Sequence, residues 1–272
     1  QYLCAEEVEN GRTLLPQMYG DPRGYKHNGP PSWYHFTPNL RTDRLTEIYL
    51  WSMDRKDLER VPVAASYAGE SGGRDGYGGP DRSATWLGFL EGKLPDFPER
   101  TLRADLASIR RKMEMIRTDQ TTADTRLADY LLDLQPAATN ALVNLTLGGY
   151  FARGRVWVLH SRFRYFDPVR RRAGLPEDVG ALVEKLGADS ATLTLVNVNP
   201  IEPRTVVVQA GGYGEHRFDS AAIAGSVVKV DSPVLTVRLE PGAGSRIEFK
   251  MARYASRPTF AYPWDRGWYG KP

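Results

Sequence analysis

The residues best equipped for chemistry lie in one short stretch, between Ser32 and Glu47. Sugar chemistry needs aromatic faces for the ring, acids and bases for proton transfer, and cations for charged substituents, and this stretch holds all three. We predict catalytic roles for Tyr34, His35 and Asp43. The predicted substrate-binding residues are Trp33, Arg41, Arg44, Glu47 and Tyr77. The alternative interpretation is a polar contact between domains beside a capped helix.

Two elements would position these side chains. A helix is predicted from about Leu45 to Arg60, because Thr42 or Asp43 can cap it, and Val61-Pro62 is expected to end it. The glycine-rich stretch over residues 66–84, which contains Tyr77, is predicted to be a lid or contact loop. Its glycines neither follow a predicted strand nor open a helix, so a phosphate-binding loop is not indicated.

Composition excludes several classes of protein. A formal net charge of +3 gives no indication of nucleic-acid binding, and no apolar run reaches the roughly 20 residues that cross a bilayer. The single cysteine allows no internal disulfide, and the four histidines lack metal-ligand spacing. We therefore expect no metal, no cofactor and no transmembrane segment. His160 is expected in the core or at an interface, and His216 is expected to be exposed at a loop end.

Helical patterns occupy the middle of the chain. Residues 101–118 form an amphipathic pattern whose apolar face is predicted to pack on the core, and further helices are predicted over 122–134 and 137–147. Gly148-Gly149 is predicted to stop the last of them. A strand over 155–165 and a short helix over 179–186 are predicted next.

The part from Ala191 to Met251 reads as five or six short strands. The segments 235–239 and 247–251 alternate apolar and polar residues, and a Pro-Gly turn separates them, which predicts a hairpin. In that hairpin Arg238 would lie opposite or diagonal to Glu248.

The fold class predicted from these patterns is α+β, with a helical N-terminal part packed on a C-terminal antiparallel β-sandwich. Residues 1–150 are assigned to an irregular and helical region, and 151–257 to the sandwich. Residues 258–272 form an aromatic tail that is expected to pack on the body or on a partner, because it is too aromatic for a free disordered tail.

The segments TLTLVNVNP, RTVVVQAG and VLTVRLEPGAGSRIEFKM resemble the C-terminal β-sandwich modules of bacterial exported glycoside hydrolases and polysaccharide lyases. This resemblance covers about a quarter of the chain. It implies part of an exported carbohydrate-active protein, periplasmic or extracellular, in which the helical region is a remnant of an α/α barrel. The sequence begins at Gln1, which we interpret as a processed or truncated product.

Two functions remain open at this point. The first is a polysaccharide hydrolase or lyase that uses Tyr and His acid–base chemistry on a carbohydrate ligand. The second is a non-catalytic structural or interaction subunit, in which the aromatic tail and the loop around Tyr77 contact protein partners.

Overall fold

A computed structural model describes residues 42–67, 83–122, 124–125, 135–149 and 160–268. Within these residues it contains five α-helices, nine β-strands and one short 3-10 helix. The helices come first and the strands follow in two antiparallel sheets, so the predicted α+β class is confirmed. None of the helices described is long and apolar enough to cross a membrane.

The chain divides into two compact units. The first comprises residues 1–88 and 127–133, and the second comprises residues 89–126 and 134–272.

The described part of the first unit contains α1 (Thr42–Ser52), α2 (Arg55–Tyr67) and most of α3 (Ser83–Leu90). The single helix predicted over residues 45–60 is therefore wrong. Met53 adopts a φ of 55°, which turns the chain out of the helix. Asp54 then accepts a hydrogen bond from the Lys56 amide at 2.8 Å and caps α2.

The prediction that Pro62 ends the helix is also wrong, because α2 continues to Tyr67. An interior proline costs a helix about 3 kcal/mol. Leu58 and Val61 lie three residues apart on one face of α2, and both are buried. Their packing offsets the cost of Pro62.

Two helices of the second unit are described, α4 (Phe97–Thr118) and α5 (Asn140–Leu147). The amphipathic helix predicted over residues 101–118 is confirmed as part of α4. The prediction that its whole apolar face packs on the core is wrong, because Leu106 and Ile116 are exposed. α5 ends as predicted, with Gly148 at a φ of 58° donating its amide hydrogen to the Asn144 carbonyl. Most of the helix predicted over 122–134 lies outside the described residues.

The strands form the two layers of a sandwich. They are β1 (Phe163–Asp167), β2 (Arg172–Ala173), β3 (Val179–Leu186), β4 (Ser190–Asn197), β5 (Arg204–Ala210), β6 (Arg217–Ile223), β7 (Ser226–Ser232), β8 (Val234–Leu239) and β9 (Gly244–Ala252). One sheet has the order β2-β1-β5-β8 and the other has the order β3-β4-β9-β6-β7. The core lies between them and is centred on Phe163, Phe218 and Phe249.

The predicted hairpin between residues 235–239 and 247–251 is wrong, although both segments are strands. β8 pairs with β5 in one sheet, whereas β9 pairs with β4 and β6 in the other. The predicted Arg238–Glu248 contact is wrong for the same reason: Arg238 pairs with Glu240 at 3.0 Å. Alternation identifies the buried face of a strand but carries no information about its partner.

The short helix predicted over residues 179–186 is wrong, because this segment is strand β3. Asp178, which precedes it, adopts a φ of 64° and accepts hydrogen bonds from Asn199 and Arg204. These hydrogen bonds, Asn199 first, hold the pKa of Asp178 below its usual range. The turn at Asp178 therefore leads into strand β3, which pairs with β4 along its length.

The predicted strand over 155–165 is described only from His160 onward, and β1 begins at Phe163.

The aromatic tail covers the outer face of the four-stranded sheet. Tyr262 and Trp264 each meet the ring of Phe166 edge-on at 5.9 Å. Trp264 and Trp268 also pack on the cluster of Phe166, Val207 and Val234. The tail therefore buries the part of the outer face around Phe166, Val207 and Val234.

Candidate functional site

The predicted site falls largely outside the described part of the chain. Glu47 lies in α1, and only 8% of it is exposed. Asp43 and Arg44 belong to the first turn of α1, but their side chains are not described. The residues that lie outside the described ranges are Trp33, Tyr34, His35, Arg41 and Tyr77.

The described residues bring polar groups together elsewhere, around the loop between β5 and β6. This loop begins with a glycine turn over residues 211–214, in which Gly211 has a φ of 87°. Glu215 folds back over this turn and accepts the Tyr213 amide hydrogen at 2.7 Å. A Cβ on Gly211 would lie 2.5 Å from the Glu215 carboxylate, so the loop requires glycine there for space as well as for φ.

His216 follows this loop and is 4% exposed, so the prediction of an exposed histidine is wrong. Its Nδ1 accepts the Tyr254 amide hydrogen at 3.0 Å, which places any ring hydrogen of the neutral form on Nε2. The Tyr254 ring meets the imidazole edge-on at 4.8 Å. Its burial has a cause that sequence does not show: the segment after β9 lies over it.

The same segment is held along the loop by its backbone. The Ser256 amide donates to the Glu215 carbonyl at 3.1 Å, and the Thr259 amide donates to the Tyr213 carbonyl at 2.8 Å. The loop and the start of the tail therefore form one unit.

Arg162 supplies a buried positive charge near these groups. It is 4% exposed, and its backbone links α5 to the loop through bonds with Leu147 and Gly211. Burial, with the positive charges of Arg162 and Arg253, lowers the pKa of His216 to about 3. Burial also raises the pKa of Glu215, against the opposing effects of its backbone hydrogen bonds and of Arg162.

These perturbed groups do not make a catalytic pair. Glu215 Oε1 and His216 Nε2 are 3.9 Å apart, but their side chains are only 13% and 6% exposed. A polymeric substrate cannot reach groups so deeply covered. Their geometry fits a positioning role, in which they fix the loop and the start of the tail.

What they position is a row of rings and cations on the surface. We call it the tail surface and define it by Tyr213, Phe260, Tyr262, Trp264, Arg164 and Arg171.

Its aromatic side chains are ordered by one another. Phe260 is 81% exposed and meets the Tyr213 ring edge-on at 5.2 Å. Tyr262, 38% exposed, stacks on Trp264 with ring centroids 5.0 Å apart and planes 7° apart. Such rings offer flat faces already fixed in place for a ligand.

Two guanidinium groups lie near this surface, one over a tail ring and one over the buried Phe166 of β1. Arg171 lies 5.7 Å from the centre of the Trp264 ring and is exposed. Arg164 lies 4.9 Å from the Phe166 ring and donates to the Gly212 carbonyl at 3.2 Å. The surface can therefore bind a flat, partly apolar ligand that carries negative charge. Within the described residues, no group of acidic, histidine or cysteine side chains could hold a metal ion.

Sequence reasoning missed most of this site. Composition marks the tail as aromatic, but the pairing of its rings with Tyr213 and with Arg171, in the turn after β1, depends on the folded sandwich. Glu215 carries no motif at all.

A model of the family described as "Domain of unknown function (DUF8034)" matches residues 6–143, about half of the 272-residue chain. The match includes the predicted catalytic stretch and helices α1 to α4, and it ends before the sandwich. No curated protein and no solved structure matches the chain.

Proposed function

The chain belongs to the DUF8034 family, and we propose that it is part of an exported carbohydrate-active protein whose sandwich binds polysaccharides with acidic groups. The observation that carries this proposal is the tail surface. Stacked and exposed rings provide faces for sugar rings, and guanidinium groups provide bidentate partners for carboxylates.

Phe260 is the strongest single support. Its ring is 81% exposed and is held edge-on against the Tyr213 ring, so it offers a ligand an apolar face that is already fixed in place. Arg171, which is exposed and lies 3.9 Å from Asp265, favours an anionic ligand over a neutral one.

The cleavage step is assigned to the segment that precedes the sandwich. Tyr34 and His35 are proposed as acid and base, with Asp43 beside them. Trp33, Arg41, Arg44, Glu47 and Tyr77 are proposed to hold the substrate. A hydrolase and a lyase remain alternatives, and the products distinguish them, because only a lyase leaves an unsaturated sugar that absorbs in the ultraviolet.

Native affinity electrophoresis tests the binding proposal. We expect the full chain to be retarded in gels that contain polygalacturonate and to run freely in gels that contain neutral galactan. The double variant Phe260→Ala/Tyr262→Ala should be retarded markedly less than the wild type. Ile201→Ala is the matched control, because Ile201 is also 81% exposed but precedes the opposite end of β5. Equal retardation of the double variant and the control would refute the assignment of the tail surface.

Product analysis tests the cleavage proposal. The full chain should release oligosaccharides from the polysaccharide that retards it, and His35→Ala and Tyr34→Phe should each abolish release while retardation persists. Binding without any release of oligosaccharides would refute the proposed cleavage and would support a binding module.

The second candidate is an interaction subunit, and the same exposed Phe260 favours it. In that case Phe260→Ala should abolish association of the chain with itself or a co-purifying protein, as measured by light scattering, and no polysaccharide should retard the chain.

A further inference from the structure

The five-stranded sheet carries a groove on the side opposite to the tail surface. Its volume is about 350 Å³. Three of its lining residues, Lys185, Glu248 and Lys250, have exposed side chains, so the groove opens on the face away from the core. This volume lies at the lower end of small-molecule sites, which run from about 300 to 1,000 Å³.

The sheet register explains how the groove forms. One row of paired residues crosses all five strands in the order Lys185, Thr192, Glu248, Ala222, Val227. Side chains of directly paired residues lie side by side on one face of a sheet. Thr192 therefore forms a low point between the long side chains of Lys185 and Glu248, and Ala222 forms another between Glu248 and Val227.

A second row lies beside the first and repeats its pattern. Lys250 pairs with Ser190 on one side and with Ser220 on the other. Short hydroxyl side chains again flank one long charged one. The floor of the groove is therefore small and polar, and its walls carry charge.

Two β-bulges border these rows. The register shifts between Val183 and Lys185 on β3, and again between Phe218 and Ser220 on β6. A bulge bends its strand and increases the local twist. Bulges on both sides of β4 and β9 thus make the face between them concave.

Several polar side chains of the groove form no hydrogen bond or ion pair within the described part of the protein. Among the described residues, the hydroxyls of Ser190, Thr192 and Ser220 form no hydrogen bond, and the Lys185 ammonium forms no hydrogen bond or ion pair. The acid next to Lys185, Glu184, is already engaged by Thr194 and Arg246.

We propose that this groove binds one acidic sugar unit, with the Lys185 ammonium against the sugar carboxylate and the hydroxyls of Ser190, Thr192 and Ser220 against the ring hydroxyls. Glu248 accepts further sugar hydroxyls beside Lys250. The groove deepens the proposed function, on which it rests, by adding a second subsite for the same class of ligand.

The charges of the lining favour an acid over a neutral sugar. Two of its three charged side chains are ammonium groups, and only Glu248 is acidic. Arg246 already neutralises Glu248, and Asp189 pairs with Lys250. Lys185 is left as the cation for a ligand carboxylate.

The two subsites face opposite ways, since they occupy the outer faces of the two sheets. A short oligomer cannot reach both at once, whereas separate polysaccharide chains can. The sandwich can therefore hold two polysaccharide chains, one on each outer face, and one ligand gains no avidity from the two subsites.

Calorimetry with digalacturonate and the full chain tests the groove. Lys185→Gln should weaken one class of sites at least tenfold, and Ala222→Phe, which fills the floor, should abolish it. Lys56→Gln is the matched control, because Lys56 is an exposed lysine of α2, outside the sandwich, and its replacement changes net charge equally. The fold of Ala222→Phe is checked by its circular dichroism spectrum and melting temperature, and Lys185→Gln carries the test if that variant misfolds.

The tail double variant Phe260→Ala/Tyr262→Ala separates the two proposals. Binding that survives in it and disappears with Lys185→Gln supports the groove and refutes the tail surface. Binding that disappears in the tail variant and is untouched by both groove variants refutes the groove and leaves the proposed function standing. No binding of digalacturonate or polygalacturonate by the wild-type chain overturns both.

Discussion

At the scale of single residues, the sandwich depends on a histidine that must stay neutral. His216 accepts a backbone hydrogen bond from Tyr254, and burial lowers its pKa to about 3. A protonated imidazole would lose that acceptor and would place a second positive charge near Arg162 and Arg253. The link between the loop and the tail is thus sensitive to acid.

The pH dependence of stability follows from this shift. In the unfolded chain a histidine titrates near 6.5, so His216 takes up a proton on unfolding at any pH between about 6.5 and 3. Its contribution is fully present above pH 6.5 and is lost progressively as the pH falls toward 3. We expect a loss on the order of a few kcal/mol, from urea unfolding at a series of pH values.

His216→Asn is the control for that experiment, because the asparagine oxygen can accept the Tyr254 hydrogen bond without titrating. The wild type should lose more stability than this variant between pH 7 and pH 4. Parallel curves for the two proteins would show that His216 is not buried in its neutral form.

Glycine at position 211 is required by space. Gly211→Ala should destabilise the fold by about 2–4 kcal/mol, because the new Cβ meets the Glu215 carboxylate in addition to the strain of a positive φ. Gly225→Ala is the matched control: Gly225 has a φ of 83°, and a Cβ added there would meet nothing within 4 Å. We expect about 1 kcal/mol for it, and thermal unfolding measures both. Equal losses of stability in the two variants would mean that the Glu215 side chain moves away from the new Cβ at no cost.

At the scale of elements, two of the connections that pass between the two sheets are joined by one side chain. Asn197 is fully buried, and its amide donates to the carbonyls of Glu202 at 2.8 Å and Glu240 at 3.2 Å. Its side-chain oxygen accepts the Asn199 amide at 3.0 Å. It therefore ties the β4–β5 connection to the β8–β9 connection.

Asn197→Ala should remove about 2–4 kcal/mol of the free energy of unfolding, because it leaves buried carbonyls without donors. Thr236→Ala, at an exposed position on β8, should change it by less than about 0.5 kcal/mol. Urea titration of both variants decides the point. A loss below about 1 kcal/mol for Asn197→Ala would show that water replaces the amide.

The sequence predicted strands of the sandwich but not how these strands pair. Alternation in residues 235–239 and 247–251 predicted two strands with the correct buried faces. It could not predict that the Pro-Gly turn crosses between sheets, since pairing is decided by the other strands. His216 was misjudged for a related reason: its burial is caused by a segment about 40 positions away along the chain. The tail surface could be suspected from composition only.

At the scale of the whole molecule, the second unit is a sandwich with a different use for each outer face. The tail covers part of the outer face of the four-stranded sheet and presents rings there, with Arg171 beside them. The five-stranded sheet keeps its outer face open around small polar residues. Both faces offer cations, which is the common basis of the proposed preference for acidic polysaccharides.

The most direct measurement of that preference is calorimetry of the full chain with two ligands that differ only in charge. Polygalacturonate and its carboxyl-reduced, neutral counterpart have the same backbone. We predict that the acidic polymer binds at least tenfold more tightly and that added salt weakens it, because the arginines and Lys185 act through charge. Equal affinity for the two polymers, or no affinity for either, would contradict the account.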